Sequence, residues 1–382
     1  MEPFLAASGN PLAVPGNPSG SHAIARRALR SLDEAREQVA GVLGREPGEV
    51  VFTSGGTESD NHAVSGGMPP RPGTPVCSAV EHHAVLEPTL ALGGESVPVD
   101  RLGRVQPAAL EQVLRRIGDS GRVVSAVSVM AANNELGTVN DLEVLEVAVR
   151  EHAPRAVFHT DAVQAAPWLD LAETASSADL VSVSAHKVGG PKGTGALVVR
   201  NGVDLRPLVA GGAQERGRRG GTHDMAGIAG FAAALVASAE SRAERAASTA
   251  ALRDLLAEAV TGIEGVFETV GPDVAASSGL PADRSHLLPG HLHVMVDGVV
   301  GEELLFDLES RGVCASATSS CASGASDGSH VVAAIGLGDS SAAPLRLSLG
   351  ADTTREMVDI ATEALAASVA HLRGTTRTGI LR

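Results

Sequence analysis

Five short stretches of this sequence set polar or ionisable side chains directly after apolar, often β-branched, runs. "VVFTSGGTESDN" passes from Val and Phe into Gly55, Gly56 and Thr57, and "SAVEHHAV" sets His82 past a second run. "MAANNELG" does the same for Asn133 and Asn134, "FHTDAVQ" for Asp161 and Gln164, and "VSVSAHK" for Ser184, His186 and Lys187. Each alone reads equally well as an ordinary loop, and Gly56–Thr57 as a turn with a threonine cap. Five in succession form a pattern, because ligands of open α/β sheets bind outside the carboxyl ends of strands. A strand that opens into a helix at Gly56 and Thr57 can present amides and a positive helix end to an anion.

Lys187 asks for its own explanation. The stretch "GGPKGTG" lacks the spacing and the Gly-Lys-Ser/Thr ending of a nucleotide phosphate loop. Lys192, between Pro191 and Gly193, suits a solvated turn, but Lys187 abuts a strand end beside His186. It reads as a buried amine that gives up its proton readily and can form a Schiff base with an aldehyde. Pyridoxal phosphate supplies such an aldehyde, and it also needs a carboxylate at its pyridine nitrogen, an anion site and a stacking ring. Asp161, the group Thr57, Ser184 and His186, and His82 match those needs.

The elements that must position these residues follow from periodicity. Residues 21–43 carry Ile24, Ala28, Leu29, Leu32, Ala35, Val39 and Val42 at helical spacing. Short apolar runs then alternate with helical stretches: "EVVFTSGG", "PVCSAV", "RVVSAVSVM", "RAVFHTDAV" and "DLVSVSAH" read as buried strands, and residues 141–152 as one of the helices between them. The alternation implies a doubly wound, mostly parallel α/β sheet with helices on both faces. A long Ala-rich helical region is expected over about 225–260, and "DVAASSGLPADRSHLLPG" reads as a surface connection. Beyond it "HLHVMV", a helix near 302–310, "PLRLSLG" and a final amphipathic helix make a smaller α+β unit.

Composition bounds the partners. The 382 residues suffice for two domains, with 43% hydrophobic and 20% charged residues. Aromatics are 2% with no tyrosine, so stacking surfaces for nucleic acid are scarce, and the net charge of −15 argues against nucleic acid or an anionic membrane as main partner. No apolar run approaches the roughly 20 residues of a membrane span, and the first residues lack the basic start and apolar core of a secretory signal. The expected location is cytoplasmic. Cys77, Cys314 and Cys321 form no metal-ligand spacing. Cys77 and Cys314, in apolar surroundings, read as core residues; Cys321 lies among Ala, Ser, Gly and Thr in a stretch expected to be mobile, where an exposed thiol invites a reactive role.

Taken together, "GNPSGSH", "VVFTSGGTESDNHAV", "SAVEHHAVLEP", "MAANNELGTVN", "FHTDAVQAAP", "LVSVSAHKVGGPKGTGALVVR", "GGAQERGRRGGTHDMAGI", "CASATSSCASGASDGSHVVAAIGLGD" and "LRLSLGADTT" resemble, in order, the cysteine desulfurases of the class V aminotransferase superfamily, in the group with a long catalytic-cysteine loop. The resemblance implies a fold type I transferase: a large cofactor domain over 1–245 with a mostly parallel seven-stranded sheet flanked by helices, and a smaller α+β domain over 246–382. It implies that L-cysteine is converted to L-alanine with pyridoxal 5′-phosphate and no metal. By resemblance Lys187 holds the cofactor and moves the substrate's α-proton, His82 stacks on the ring and Asp161 pairs with its nitrogen. Gln164 and Asn134 lie near the phenolic oxygen and substrate. Gly56, Thr57, Ser184 and His186 bind the phosphate with Thr222 from a second subunit of a homodimer. Arg346 clamps the substrate carboxylate, for which its fork is suited. Cys321 takes the sulfur as a persulfide for an acceptor protein, an iron–sulfur scaffold or a thiolation enzyme.

The sequence departs from the family in places. It begins at "MEPFLAASGNPL", which resembles the region after the family's opening strand and "DNAATTP" segment. "AGGAQERGRRGGTHD" stands for the usual "HGGGQERGLRSGTEN", and Ala351 for a frequent arginine. Two other readings follow: an aminotransferase or lyase of the same fold, against which Cys321 argues, and a catalytically weak assembly subunit. Sulfide release with alanine formation separates them from a desulfurase.

Overall fold

The computed structural model describes residues 16–317 and 328–379. By compactness the chain divides into two units: one of residues 16–98, 105–131 and 140–242, the other of 99–104, 132–139 and everything described from 243 onward.

The first unit holds helix α1 (Ala23–Val42), β1 (Val50–Thr53), α2 (Gly56–Ser65), β2 (Thr74–Ser78), α3 (His83–Ala91), β3 (Glu95–Val97), α4 (Pro107–Asp119), β4 (Val124–Ser128), α5 (Leu142–His152), β5 (Val157–Asp161), α6 (Leu171–Thr174), β6 (Leu180–Ser184), β7 (Gly195–Val199) and α7 (Met225–Glu240). Its seven strands lie in the order β1-β7-β6-β5-β4-β2-β3. The pairs from β3 to β6 are parallel, whereas β7 is antiparallel to both β6 and β1. Two reversals cancel, so β1 runs with β6 and its carboxyl end lies at the same edge. Strands β2, β4, β6 and β7 are buried along their whole length, as the continuous Val-rich runs require of strands covered on both faces.

The second unit holds α8 (Arg242–Thr261, its first residue in the first unit), β8 (Val266–Glu268), α9 (Pro272–Ser277), β9 (His291–Val296), α10 (Gly301–Ser310), α11 (His330–Ala334), β10 (Ala343–Ser348) and α12 (Arg355–Gly379). A three-stranded antiparallel sheet, β10-β9-β8, packs its Leu and Val residues against Leu256, Leu304, Leu308, Val358 and Leu365 from the helices.

Three expectations change. The Ala-rich region is two helices parted at Ser241, where no proline or glycine flags the break. The presumed surface connection at 273–290 contains most of α9, and its Ala275 and Leu288 are fully buried. Cys77 is buried but Cys314 is exposed, so the second is not a core residue. Val313 and Ala315 are half-buried on either side of it, and strand-like alternation turns Cys314 outward. Among the described residues, no helix is long and apolar enough to cross a membrane.

Candidate functional site

The first unit gathers four of the five polar stretches at its sheet. Thr53 pairs with Gly195, and Gly195 with Ser184, so the ends of β1 and β6 flank the start of β7. A Cβ at Gly195 would lie 2.8 Å from the Gly55 Cα, so only glycine lets the turn after β1 settle there. Gly55 has φ +144°, and a Cβ on Gly56 would stand 2.9 Å from Val163 Cγ2. Thr53 Oγ1 bonds Ser59 Oγ at 2.8 Å, pinning the strand end to helix α2. The first amides of α2, at Gly56 and the exposed Thr57, thus lie at a helix N-terminus, an end that suits an anion. Ser184 Oγ bonds His186 Nδ1 at 2.8 Å on the neighbouring strand end. Burial, with Lys187 and Lys192 nearby, lowers the His186 pKa.

Lys187 follows on a 3-10 turn, Ala185–Val188, closed by Gly189 at φ +82°. Its side chain is exposed, which corrects the expectation of a buried amine: the turn takes the residue out of the strand's alternation. Asp161, at the end of β5, is only 6% exposed and accepts from the Val163 amide at 2.8 Å. Burial pushes its carboxyl pKa up, and the Val163 amide and the Lys187 ammonium offset this only in part. Such a carboxylate gains from a cationic partner, and a protonated pyridine nitrogen is one. His82 is half-buried at the N-cap of α3, with Nδ1 accepting from the Ala84 amide at 3.1 Å, which fixes the ring. Gln164 is half-buried three residues past Asp161. A helix end suited to an anion, a buried carboxylate, a fixed imidazole and a lysine, each at the carboxyl end of a strand of one sheet, fit a pyridoxal phosphate.

Beneath Asp161 lies a polar layer that the sequence reading missed. His159 is fully buried, with Nδ1 to Ser128 Oγ at 3.1 Å and Nε2 to Ser182 Oγ at 3.0 Å; burial lowers its pKa to about 3. Asp60 Oδ1 lies 3.6 Å from that ring, but this is not an ion pair, because burial and the nearby Asp161 push the Asp60 pKa well above the ordinary range. Glu81, whose Oε1 accepts from the Met130 amide at 2.7 Å, is raised by burial likewise. The signal was present: His159 and Asp161 are two apart on β5, Ser182 and Ser184 two apart on β6, so polar residues recur on one face of these buried strands.

Thr222 is exposed near the end of the long segment 206–224. Glu215 anchors that segment. It is 5% exposed and takes two bonds of 2.7 Å from Arg36, one of 2.6 Å with His223 and one of 2.9 Å from the Phe52 amide. Burial alone would raise its carboxyl; these partners outweigh burial and hold it at about 2. Glu215 and Arg216 are both left-handed, at φ 49° and 57°, a conformation L-residues adopt only under outside constraint.

The second unit carries the fifth stretch. Asn133 Oδ1 accepts from the amides of Glu135 and Leu136, and the Asn133 amide bonds Thr138 O, so residues 132–139 make a tight turn that fixes the buried Asn134. Arg346 Nη1 donates to the Asn134 carbonyl at 2.9 Å, and Arg346 Nε is buried with no hydrogen-bond partner among the described residues. Across the sheet Arg346 pairs with His293, whose pKa falls to about 4 through burial and the neighbouring Arg346. The histidine stays neutral, so the guanidinium is the cation on that face. Ser316 and Arg346 exchange backbone hydrogen bonds of 2.6 and 3.2 Å, and Ser329 Oγ donates to Glu135 Oε2 at 2.6 Å. Both flanks of 318–327 are therefore tied beside Arg346 and Asn134. Cys321 lies outside the described residues. No cluster of metal-ligating side chains occurs among the described residues.

Comparison with known proteins adds three findings. A family model described as "Aminotransferase class-V" matches residues 11–360. The chain is 38% identical over 359 residues to the cysteine desulfurase IscS of Clostridium botulinum (strain Kyoto / Type A2), covering 92% of this chain and 86% of that relative. Among solved structures, a NifS-like protein superposes with a TM-score of 0.81 at 32% identity over 94% of this chain and 93% of its own, and SspA in complex with cysteine with 0.72 at 29% over 91% and 93%.

Proposed function

The chain belongs to the class V aminotransferase family, and from that membership and the site we infer that it is a pyridoxal-phosphate-dependent cysteine desulfurase, converting L-cysteine to L-alanine and passing the sulfur on. Relatives named cysteine desulfurase and a neighbour solved with cysteine support the substrate. The observation that carries the reading is the buried Asp161 carboxylate at the end of β5, on the strand next to β6, which leads directly into the turn bearing Lys187.

When bound, the cofactor supplies an aldehyde for covalent attachment and a ring that draws electrons from the substrate's α-carbon. In the proposed assignment Lys187 Nζ carries that attachment and then moves the α-proton. Asp161, as an anion, would pair with the ring nitrogen; His82 would lie against the ring, and Gln164 and Asn134 would serve the phenolic oxygen and the substrate. Gly56, Thr57, Ser184 and His186 hold the phosphate, with Thr222 from the partner of a homodimer. Arg346 grips the substrate carboxylate. Cys321 Sγ attacks the substrate sulfur, and the electron pair of the broken C–S bond ends in a new C–H bond of alanine. The enzyme thiol and cysteine become enzyme persulfide and alanine, so no outside oxidant is required. The persulfide then serves an acceptor protein.

Peptide mass spectrometry after brief incubation with cysteine tests the assignment. One extra sulfur, removable by a reducing thiol, is expected on the Cys321 peptide, and Cys321→Ser should release almost no alanine while still perturbing the cofactor spectrum. Full alanine production by that variant, or a persulfide found on Cys314 alone, would sink the mechanism.

A further inference from the structure

Helix α2 contains an electrostatic conflict. Its first turn is the proposed phosphate site, yet Glu58 sits in that turn, reaching back so that Oε2 accepts from the Ser54 amide at 2.9 Å. A carboxylate at a helix N-terminus stabilises the helix, but there it takes up an amide and opposes any second anion. Arg219 answers it: Nε meets Glu58 Oε1 at 2.9 Å and Nη2 meets Oε2 at 3.2 Å, a two-pronged pair with both side chains largely covered. Burial would raise the Glu58 carboxyl, but Arg219 and Ser54 outweigh it, so the group is held as an anion.

We propose that Arg219 is a further positioning residue of the cofactor site, pairing with Glu58 so that the N-terminus of α2 accepts the cofactor's phosphate rather than repelling it. The inference rests on the phosphate assignment made above. Arg219 lies three residues before Thr222 and on the segment anchored by Glu215, so one stretch of chain would serve two sites: Thr222 as a direct phosphate ligand in the partner subunit's site, Arg219 by cancelling a competing charge in its own. A guanidinium fork suits this task, since it donates to both carboxylate oxygens while its positive charge offsets theirs. A purely mechanical tether would depend on the link between loop and helix, not on the sign of the charge left behind when the link is cut.

The test measures equilibrium binding of two probes, pyridoxal 5′-phosphate and phosphate-free pyridoxal, to the full-length protein after removal and re-addition of cofactor. Arg219→Ala should weaken pyridoxal 5′-phosphate about tenfold or more, because an unpaired carboxylate then remains in the same helix turn as the proposed phosphate site, and should leave pyridoxal within about twofold. Glu58→Gln added to Arg219→Ala should restore most of the lost affinity by removing the repelling charge. Glu58→Gln alone should bind pyridoxal 5′-phosphate at least as tightly as the unmodified protein, which keeps the idea testable if Arg219→Ala fails to fold. Equal losses for both probes, no rescue in the double variant, or marked weakening by Glu58→Gln alone overturns the proposal. Failure of the unmodified protein to take up pyridoxal 5′-phosphate would instead overturn the cofactor assignment beneath it.

Discussion

Glu215→Gln removes the charge that fixes the segment bearing Thr222. Held at about 2 rather than near the ordinary 4.5 of glutamate, this carboxyl is worth about 3 kcal/mol to the folded state. The variant leaves Arg36, 6% exposed and stacked at 4.8 Å over the Phe52 ring, without its counter-charge, a loss of the same order as other broken buried pairs, about 3–5 kcal/mol. The sign follows from the direction of the shift. A folded-state pKa below the unfolded one stabilises fully above about pH 4.5 and is lost as pH falls towards 2. The stability gap between native protein and variant should therefore be about 3 kcal/mol at pH 7 and narrow steadily between about pH 5 and pH 3. The single tryptophan, Trp168, lies in the same unit as Glu215, so urea unfolding followed by its fluorescence reports on that unit. Both proteins are compared free of cofactor, which removes ligand linkage. A gap that stays constant from pH 7 to pH 3, or one below about 1 kcal/mol at pH 7, refutes the account of this anchor.

Three further outcomes test the site. Lys187→Ala should lose the borohydride-reducible attachment of the cofactor and all turnover, whereas Lys192→Ala keeps both; a reducible attachment retained without substrate in the first variant contradicts the lysine assignment. Mixing Lys187→Ala with Thr222→Ala should restore activity through hybrid dimers that contain one intact site, and no recovery despite proven subunit exchange would rule out sites shared between subunits. Arg346→Lys should raise KM for cysteine by roughly tenfold or more with a smaller change in kcat, because a point charge replaces a fork; an unchanged KM removes Arg346 from carboxylate binding.

The sequence revealed most where a buried strand ends abruptly in polar residues. Asp161, Ser184 and His82 were visible because Val-rich runs cannot hide them, and the parallel order of β2 to β6 follows from the helices between those runs. Strands β3 and β8 were not visible, since three residues are too few for a period to show. Cys314 misled because its sequence neighbours are apolar, though alternation turns it outward. Lys187 misled because a 3-10 turn follows no strand rule. The pairs Glu58–Arg219 and Arg36–Glu215 span 161 and 179 positions, and no local pattern links charges so far apart.

The turn at 132–139 groups with the second unit although the chain on both sides of it belongs to the first, and its Asn134 carbonyl meets Arg346, 212 positions later. On the ribosome, this turn is made long before the strand it serves. The second unit can close only when nearly the whole polypeptide has emerged. A fragment starting at Ala243 would begin at a clean helix and still lack the loop that caps Arg346. Cutting, permuting or exchanging domains at that boundary would divide one folding unit, however natural the seam looks in the linear sequence.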